Sequence, residues 1–321
     1  MREGLTYSDV LIMPGFSDIL TRDDIDIKSD YLGGHRIPII SSPMDFVTGY
    51  PMAKRMHELG AYGIVNRFGY TSLSLETWPD HEYGLAIGLK QIDESIKDIH
   101  KSRPHSICID VAHGHHALVA AIIKYLREKL DYEPYIIVGN IATSQGFEYL
   151  AEVGANAIRI GIGPGSACST RETTGVGVPQ LSAIMDCATV KRRFPGVSLI
   201  ADGGINTSGD ILKALAAGAD AVMLGKMLAG HDETPGDIIE DRFKRYRGQS
   251  LLGTNGERGA PEGIDGLVDY KGPVDKTIQS LVNYMKSGFS YVGARDIQDF
   301  RRKARFIKVS AGTQEENKTR L

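Results

Sequence analysis

Short apolar runs recur along the chain, each closed by Gly, Asp, Asn or Ser. They are Ile37 to Ile40, Tyr62 to Val65, Gly84 to Ile87, Ser106 to Ile109, Tyr135 to Val138, Ala157 to Ile160, Ser198 to Ile200 and Ala221 to Leu224. Runs this short and this uniformly apolar read as strands buried on both faces. Between most of them the period changes to that of an amphipathic helix, as in Ala117 to Leu130, Gln145 to Val153 and Gly209 to Ala217. Alternating strands and helices predict parallel pairing with the helices packed outside. Eight such units either close into a barrel or open into a doubly wound sheet. The count and the even spacing favour an α/β fold of the (β/α)8 TIM-barrel kind.

Two segments break the alternation. One insertion runs from Gly161 to the helix that carries Met185 and Lys191, between the sixth strand and the seventh. After the eighth strand, His231 to Gly272 is polar and Gly-rich and reads as a long surface loop or lid. The tail from Thr313 reads as frayed, over residues 313–321. No linker separates a second domain, so residues 1–321 are expected to form a single barrel domain.

Composition narrows the function classes. With 42% hydrophobic and 24% charged residues among 321, disorder and collagen are excluded. The 37 basic and 40 acidic side chains leave a formal net charge of -3, which provides no general field for nucleic acid or an acidic membrane surface. An anionic ligand must therefore be held locally. No stretch approaches the ~18 apolar residues of a membrane span, and Asp9 interrupts too short an apolar run for a signal peptide. The three cysteines, Cys108, Cys168 and Cys187, build no disulfide framework and no CxxC pair, which suits a reducing, cytoplasmic setting.

In a parallel barrel the site is assembled at the C-terminal ends of the strands. Read in order, those ends supply Ser41, Ser42, Pro43, Met44 and Asp45, then Asn66 and Arg67, Gly88, Asp110, Gly139 and Asn140, Gly161 onward, Asp202 with Gly203 and Gly204, and Gly225 with Lys226. Any one of these could be an ordinary turn residue. Together they read as a site. Asp202-Gly203-Gly204 leads into Thr207-Ser208-Gly209 at the start of a helix, and Gly225 follows the eighth strand, an arrangement suited to cradling phosphate on backbone amides.

The loop GIGPGSACSTR, Gly161 to Arg171, is the most specific feature. Its glycines and proline can turn carbonyls and amides toward a ligand or a cation. Cys168 sits in this polar loop, past the strand end, and reads as a nucleophile with Thr170 and Arg171 near enough to trade a proton or favour a thiolate. Cys108, inside SICID, and Cys187, at helical spacing from Ile184, read as core. The cluster His113, His115 and His116 lacks the further ligand that a metal site needs, so Asp110 and His113 are better placed to touch a cofactor or shape the cleft.

At this loop the chain resembles a known family. GIGPGSACSTRETTGVGVPQ, with IADGGI, SSPMD and MLAGHDETPGD, is similar to IMP dehydrogenases and GMP reductases, from LTYSDVLIMP near the N-terminus to YVGARDI and FIKVS near the C-terminus. The resemblance implies a (β/α)8 barrel assembled as a homotetramer. It implies that Cys168 attacks C2 of the purine to form a covalent thioimidate, that hydride passes between C2 and nicotinamide, and that Thr170 and Glu262 relay protons. The nucleotide's phosphate is then expected on Ser166, Gly204, Gly225 and the Tyr246-Arg247-Gly248 turn, and its base against Met44 and Glu262. Ser41, Asp202, Gly203, Lys226 and Gly263 complete the expected substrate set. Arg67, Asp110, Asn140, Gly161 and Gly163 are expected to face the cofactor, and carbonyls of Gly163, Gly165 and Cys168 resemble a potassium site.

Which activity is present turns on one segment. YRGQSLLGTNGERGAPE, Tyr246 to Glu262, is far shorter than the mobile flap of the dehydrogenases and has no Arg-Tyr pair after Gly248 to activate water. Only a short stretch around Thr77 to Tyr83 stands where paired CBS modules are usually inserted. GMP reductases need no hydrolytic flap, and Asn66-Arg67-Phe68, MLAGH, SYVGA and DVAHGHH resemble theirs. SSPMD and TGVGVPQ are closer to dehydrogenases, and Lys226 and Asn66 depart from the family pattern. The expected activity is NADPH-dependent reductive deamination of GMP to IMP and ammonia. A flap-shortened, NAD-using IMP dehydrogenase and a non-catalytic nucleotide-binding protein are the alternatives.

Overall fold

A computed structural model of the chain describes residues 2–68, 82–89, 92–248 and 265–316. Eight parallel strands close into a barrel: Ile39–Ser41, Tyr62–Val65, Gly84–Ile87, Ser106–Asp110, Tyr135–Ile141, Ala157–Ile160, Ser198–Asp202 and Ala221–Leu224. The eighth pairs back onto the first, with Val222 beside Ile39 and Leu224 beside Ser41. The first strand starts at Ile39, later than its apolar run. Pro38 has no amide to give a ladder and contributes only its carbonyl, to the Val222 amide.

Continuous apolar runs follow from burial on both faces. Ile40, Ile64, Ala86, Cys108, Ile137, Ala157, Ile200, Ala221 and Met223 fill the lumen, while Ile39, Ile107, Val138, Ile158, Leu199 and Val222 pack outward under the helices. A hairpin, Ser29–Tyr31 with Gly34–Arg36, brings Tyr31 and Leu32 into the lumen cluster. Helices Tyr50–Glu58, Ile92–Ser102, Ala117–Lys129, Ser144–Glu152, Gln180–Lys191 and Ser208–Ala216 stand between successive strands. Asp275–Val292 packs on the last of these through a stripe of Ile278, Leu281, Met285, Phe289 and Val292. Val10–Ile12 pairs antiparallel with Phe306–Lys308, so the two ends of the chain are tied together.

Two expectations about irregular segments need correction. His231 to Gly272 is not simply a loop, because Phe243–Arg247 and Asp265–Asp269 form an antiparallel ribbon. Its strands carry too many charges for an apolar run to reveal them. Lys244 is nevertheless buried, its ammonium satisfied by the carbonyls of His231 (3.0 Å) and Thr234 (2.7 Å). In the tail, Ala311–Glu316 is a helical turn rather than frayed chain; residues 317–321 lie outside the described residues.

Candidate active site

At the C-terminal rim the lumen changes from apolar to ionic. The residues that continue the inward-facing series of the fourth, sixth and seventh strands are Asp110, Arg159 and Asp202. Arg159 Nη1 donates to Asp110 (2.6 Å), and Nε and Nη2 donate to Asp202 (3.0 and 2.8 Å). Burial pulls Arg159 down, but Asp202 and Asp110 outweigh it and hold the guanidinium well above its ordinary value. The fifth strand turns through a cis peptide at Gly139-Asn140, and the Asn140 amide nitrogen donates to Asp202 and to the Gly161 carbonyl, both at 2.8 Å.

Above this ionic layer lies a cavity of about 280 Å³. It is close to the lower end of the roughly 300–1,000 Å³ usual for small-molecule sites. Of the residues expected from sequence, Met44, Arg67, Asp110, Asn140, Gly161, Gly163, Gly165, Cys168, Thr170, Asp202, Tyr246 and Gly248 line it. Arg159, Val111, Ala112 and Ile162 also line it. Arg159 was missed because AIRI, Ala157 to Ile160, reads as a strand interior. A charged residue in the middle of an otherwise doubly buried strand was the available signal.

Cys168 Sγ lies 3.1 Å from Thr170 Oγ1 on the cavity wall. Arg171 is within electrostatic reach of Cys168, but its hydrogen bonds go to the loop backbone. Its Nε donates to the Ile162 carbonyl at 3.0 Å and its Nη2 to the Val178 carbonyl, so it braces the loop. Behind the loop, Gln180 Nε2 donates to the carbonyls of Ile160 (2.6 Å) and Asp202 (3.1 Å) and joins the ends of the sixth and seventh strands. Burial pushes the thiols of Cys108 and Cys187 up to about 12, which makes them poor nucleophiles at neutral pH.

Of the two turns expected to hold phosphate, the helix start carries its own carboxylate. At the start of the Ser208–Ala216 helix, Asp210 Oδ2 accepts the amides of Asn206 and Thr207 and Thr207 Oγ1 accepts that of Asp210, while the amides of Ser208 and Gly209 find no acceptor among the described residues. An incoming anion would meet a carboxylate there. The amides of Gly203 and Gly204 likewise find no acceptor among the described residues, and no carboxylate caps them. Gly203 and Gly204 pack on Pro164, Gly225 faces Met44 Sδ and Tyr246 Oη, and Ser166 Oγ lies 3.4 Å from Tyr246 Oη. Burial, reinforced by Asp202, pushes the Tyr246 phenol up and keeps it a donor at neutral pH.

Other expected residues fall away from the cavity. Ser41 is buried on the outer face of its strand: a Cβ on Gly63 would touch both Ser41 Oγ and Ala53 of the overlying helix. The period of two forbids Ser41 the lumen, since Ile40 points there. Lys226 is exposed and does not line the cavity. Ser166, Gly203, Gly204 and Gly225 stand at its edge. His116 caps the Ala117–Lys129 helix through Nδ1, and among the described residues no group of three His, Cys, Asp or Glu side chains could hold a metal ion. Glu262 and Gly263 lie outside the described residues.

Comparison with known proteins agrees with this architecture. The IMP dehydrogenase / GMP reductase domain profile matches residues 4–76 and 80–320. An inosine-5'-monophosphate dehydrogenase from Cryptosporidium parvum is 34% identical over 96% of this chain and 92% of its own length. A GMP reductase from Leishmania major is 43% identical over 72% of this chain, which spans 51% of that relative. Several other relatives are likewise spanned over only about half of their length. A crystal structure of a GMP reductase variant from Trypanosoma brucei, in complex with guanosine 5'-monophosphate, superposes with a TM-score of 0.90 at 28% identity, over 99% of this chain and 98% of that one.

Proposed function

Because the chain belongs to the IMP dehydrogenase / GMP reductase family, a family of oxidoreductases, we propose that it reduces GMP to IMP and ammonia with NADPH. The observation that carries the reading is Cys168 Sγ, 3.1 Å from Thr170 Oγ1, on the wall of a cavity with an ionic floor. Relatives bear both family names, and the choice rests on sequence: residues 249–264, outside the described set, contain no Arg-Tyr pair to activate water.

In this reading Cys168 Sγ bonds to C2 of the purine and the exocyclic C2–N bond breaks, releasing ammonia. Thr170 and, by resemblance, Glu262 pass the proton that the leaving amine needs. A dinucleotide bound in the cavity would supply the hydride that reduces C2. The C2–S bond then breaks, returning the thiolate and leaving IMP. Met44 supports the base. Ser166, Gly203, Gly204, Gly225 and Tyr246 hold the phosphate on neutral donors, with Gly248 beside them, and Asp202 faces the sugar.

Arg67, Asp110, Asn140, Gly161 and Gly163 line the cavity and would hold the cofactor. Arg67, stacked on Phe68 with 4.6 Å to the ring centroid, adds a cation to the cavity lining beside Arg159. Potassium fits carbonyls better than any carboxylate cluster here: Gly163, Gly165 and Cys168 share one turn, although the Gly165 carbonyl already accepts the Cys168 amide. The working unit is a homotetramer without CBS modules.

Nicotinamide absorbance in two mixtures, GMP with NADPH and IMP with NAD, tests the proposal. Loss of NADPH with matching ammonia release is expected. NADH formed from IMP would establish the dehydrogenase, the second reading that SSPMD and TGVGVPQ favour, and silence in both would sink either. Tyr246→Phe is expected to raise the KM for the nucleotide roughly tenfold with kcat within a factor of three, since it removes one hydrogen bond to a charged group. Initial-rate kinetics would show a fall in kcat instead if the phenol acts in the chemistry.

A further inference from the structure

We propose that His231 is a positioning residue for the ribbon that carries Tyr246: its neutral ring clasps Phe243–Arg247 and Asp265–Asp269 to the barrel, and its protonation releases them. The inference rests on the nucleotide reading above, through Tyr246, and concerns a buried ring which that reading leaves without a task. His231 is fully buried beyond the eighth strand. Its Nδ1 lies 2.9 Å from the Gly272 carbonyl, which can only accept, so Nδ1 carries the proton and Nε2 is left as an acceptor. Nε2 is buried and has no partner among the described residues. The same residue reaches both strands: its carbonyl accepts Lys244 Nζ of the first at 3.0 Å, and its ring holds Gly272, just beyond the second. Lys244 is buried and Arg245 exposed, so Lys244 and Tyr246 stand together on the inward face of their strand, and the depth of the ammonium sets the height of the phenol.

Acid converts this clasp into a repulsion. The charged groups around the ring and the ammonium beside it are Asp232, Glu233 and Asp237 on the same segment, Lys244 itself, and Lys271 just past the second strand. Asp232 already accepts the Tyr270 phenol at 2.5 Å, and Glu233 the Val274 amide at 3.1 Å. Burial holds His231 below its ordinary range; Gly272 and Asp232 oppose this, while Lys271 and Lys244 add to it. A proton on Nε2 would place a second cation beside a buried ammonium, and a donor where no acceptor stands. A ring lifted into water protonates near its ordinary value of about 6.5. The seated ribbon therefore has its full stability above about pH 6.5 and loses it as the pH falls below, by up to about tenfold in population per unit.

The test is hydrogen exchange of the two ribbon strands in the full chain at about pH 7.5 and about pH 5.5, corrected for intrinsic exchange and referred to the barrel strands. Asp265, held low by its hydrogen bond to Arg245, stays ionised over this range. Wild type is expected to lose ribbon protection about fivefold to tenfold at the lower pH, with the barrel strands unchanged. His231→Asn, whose amide still donates to the Gly272 carbonyl but takes up no proton, should lose less than about twofold. Should it fail to fold, His231→Gln takes its place. Saturating GMP should restore most of the protection at the lower pH, since Tyr246 reaches the phosphate only from a seated ribbon. Ribbon protection that stays level in wild type, or falls equally in wild type and variant, would overturn the proposal, and so would GMP that binds without slowing ribbon exchange. If neither GMP nor IMP binds, the nucleotide reading fails separately, and the exchange profile still decides for or against the clasp.

Discussion

Cys168→Ser should lower turnover by roughly 10³-fold or more while changing nucleotide affinity by less than about threefold. A serine hydroxyl fits the space of the thiol, so the cavity wall, Thr170 and the loop braced by Arg171 stay in place. What is lost is chemical. A hydroxyl ionises far less readily than a thiol and is a poorer leaving group from C2, so both the formation and the collapse of the covalent adduct suffer. Two measurements together test this: single-turnover rates with each nucleotide, and alkylation of the wild type by iodoacetamide near pH 8. Burial holds Cys108 and Cys187 at about 12, so one fast-reacting thiol is expected, and bound GMP should protect it. A serine variant retaining a tenth of wild-type turnover would end the covalent mechanism.

Gly161→Ala is expected to cost about 2–5 kcal/mol of stability and most of the activity, from a single added methyl group. Gly161 has φ +150, and a Cβ there would overlap the Asp202 carbonyl oxygen, far inside van der Waals contact, and lie 3.1 Å from Gln180 Nε2. The backbone has no room to retreat. The Gly161 amide donates to the Ile141 carbonyl at 2.7 Å, and its own carbonyl accepts Asn140 Nδ2 at 2.8 Å. Relief must therefore come from parting the sixth and seventh strands at the rim, which displaces Asp202 and the Cys168 loop together. Gly196→Ala is the control: nothing lies within 4 Å of a Cβ there, and its effect should stay within about 0.5 kcal/mol. Urea unfolding of both variants decides the matter, and equal stabilities would show that the rim yields more easily than this geometry implies.

Much of the barrel was legible because its strands are buried on both faces. Seven of the eight apolar runs begin at the first residue of an observed strand. The misreadings share a cause. The ribbon Phe243–Arg247 carries Lys244, Arg245 and Arg247, and its burial depends on partners far along the chain that no local pattern reports. Arg247, for instance, is held by Asp45 at 2.6 Å, and Phe46 lies against both Arg245 and Arg247. Ser41 was misplaced for a simpler reason: a strand end has two faces, and only the pairing register says which faces the lumen.

Local chemistry and period were enough to place the cysteine loop at a strand end, to count eight parallel strands and to gather most of the polar residues at one rim. Those features are set by short-range spacing, in which glycine, apolar run and helix period repeat from unit to unit. Closure of the barrel decided the rest. It set Arg159 between Asp110 and Asp202, residues 49 and 43 positions away, and turned an arginine in an apolar strand into the floor of a cavity. The start of the Ser208–Ala216 helix, by contrast, is capped locally, by Asp210 three and four residues from the amides it accepts. Hydrogen-bond partners are assigned by distance in space, and that distance exists only after the eighth strand has met the first.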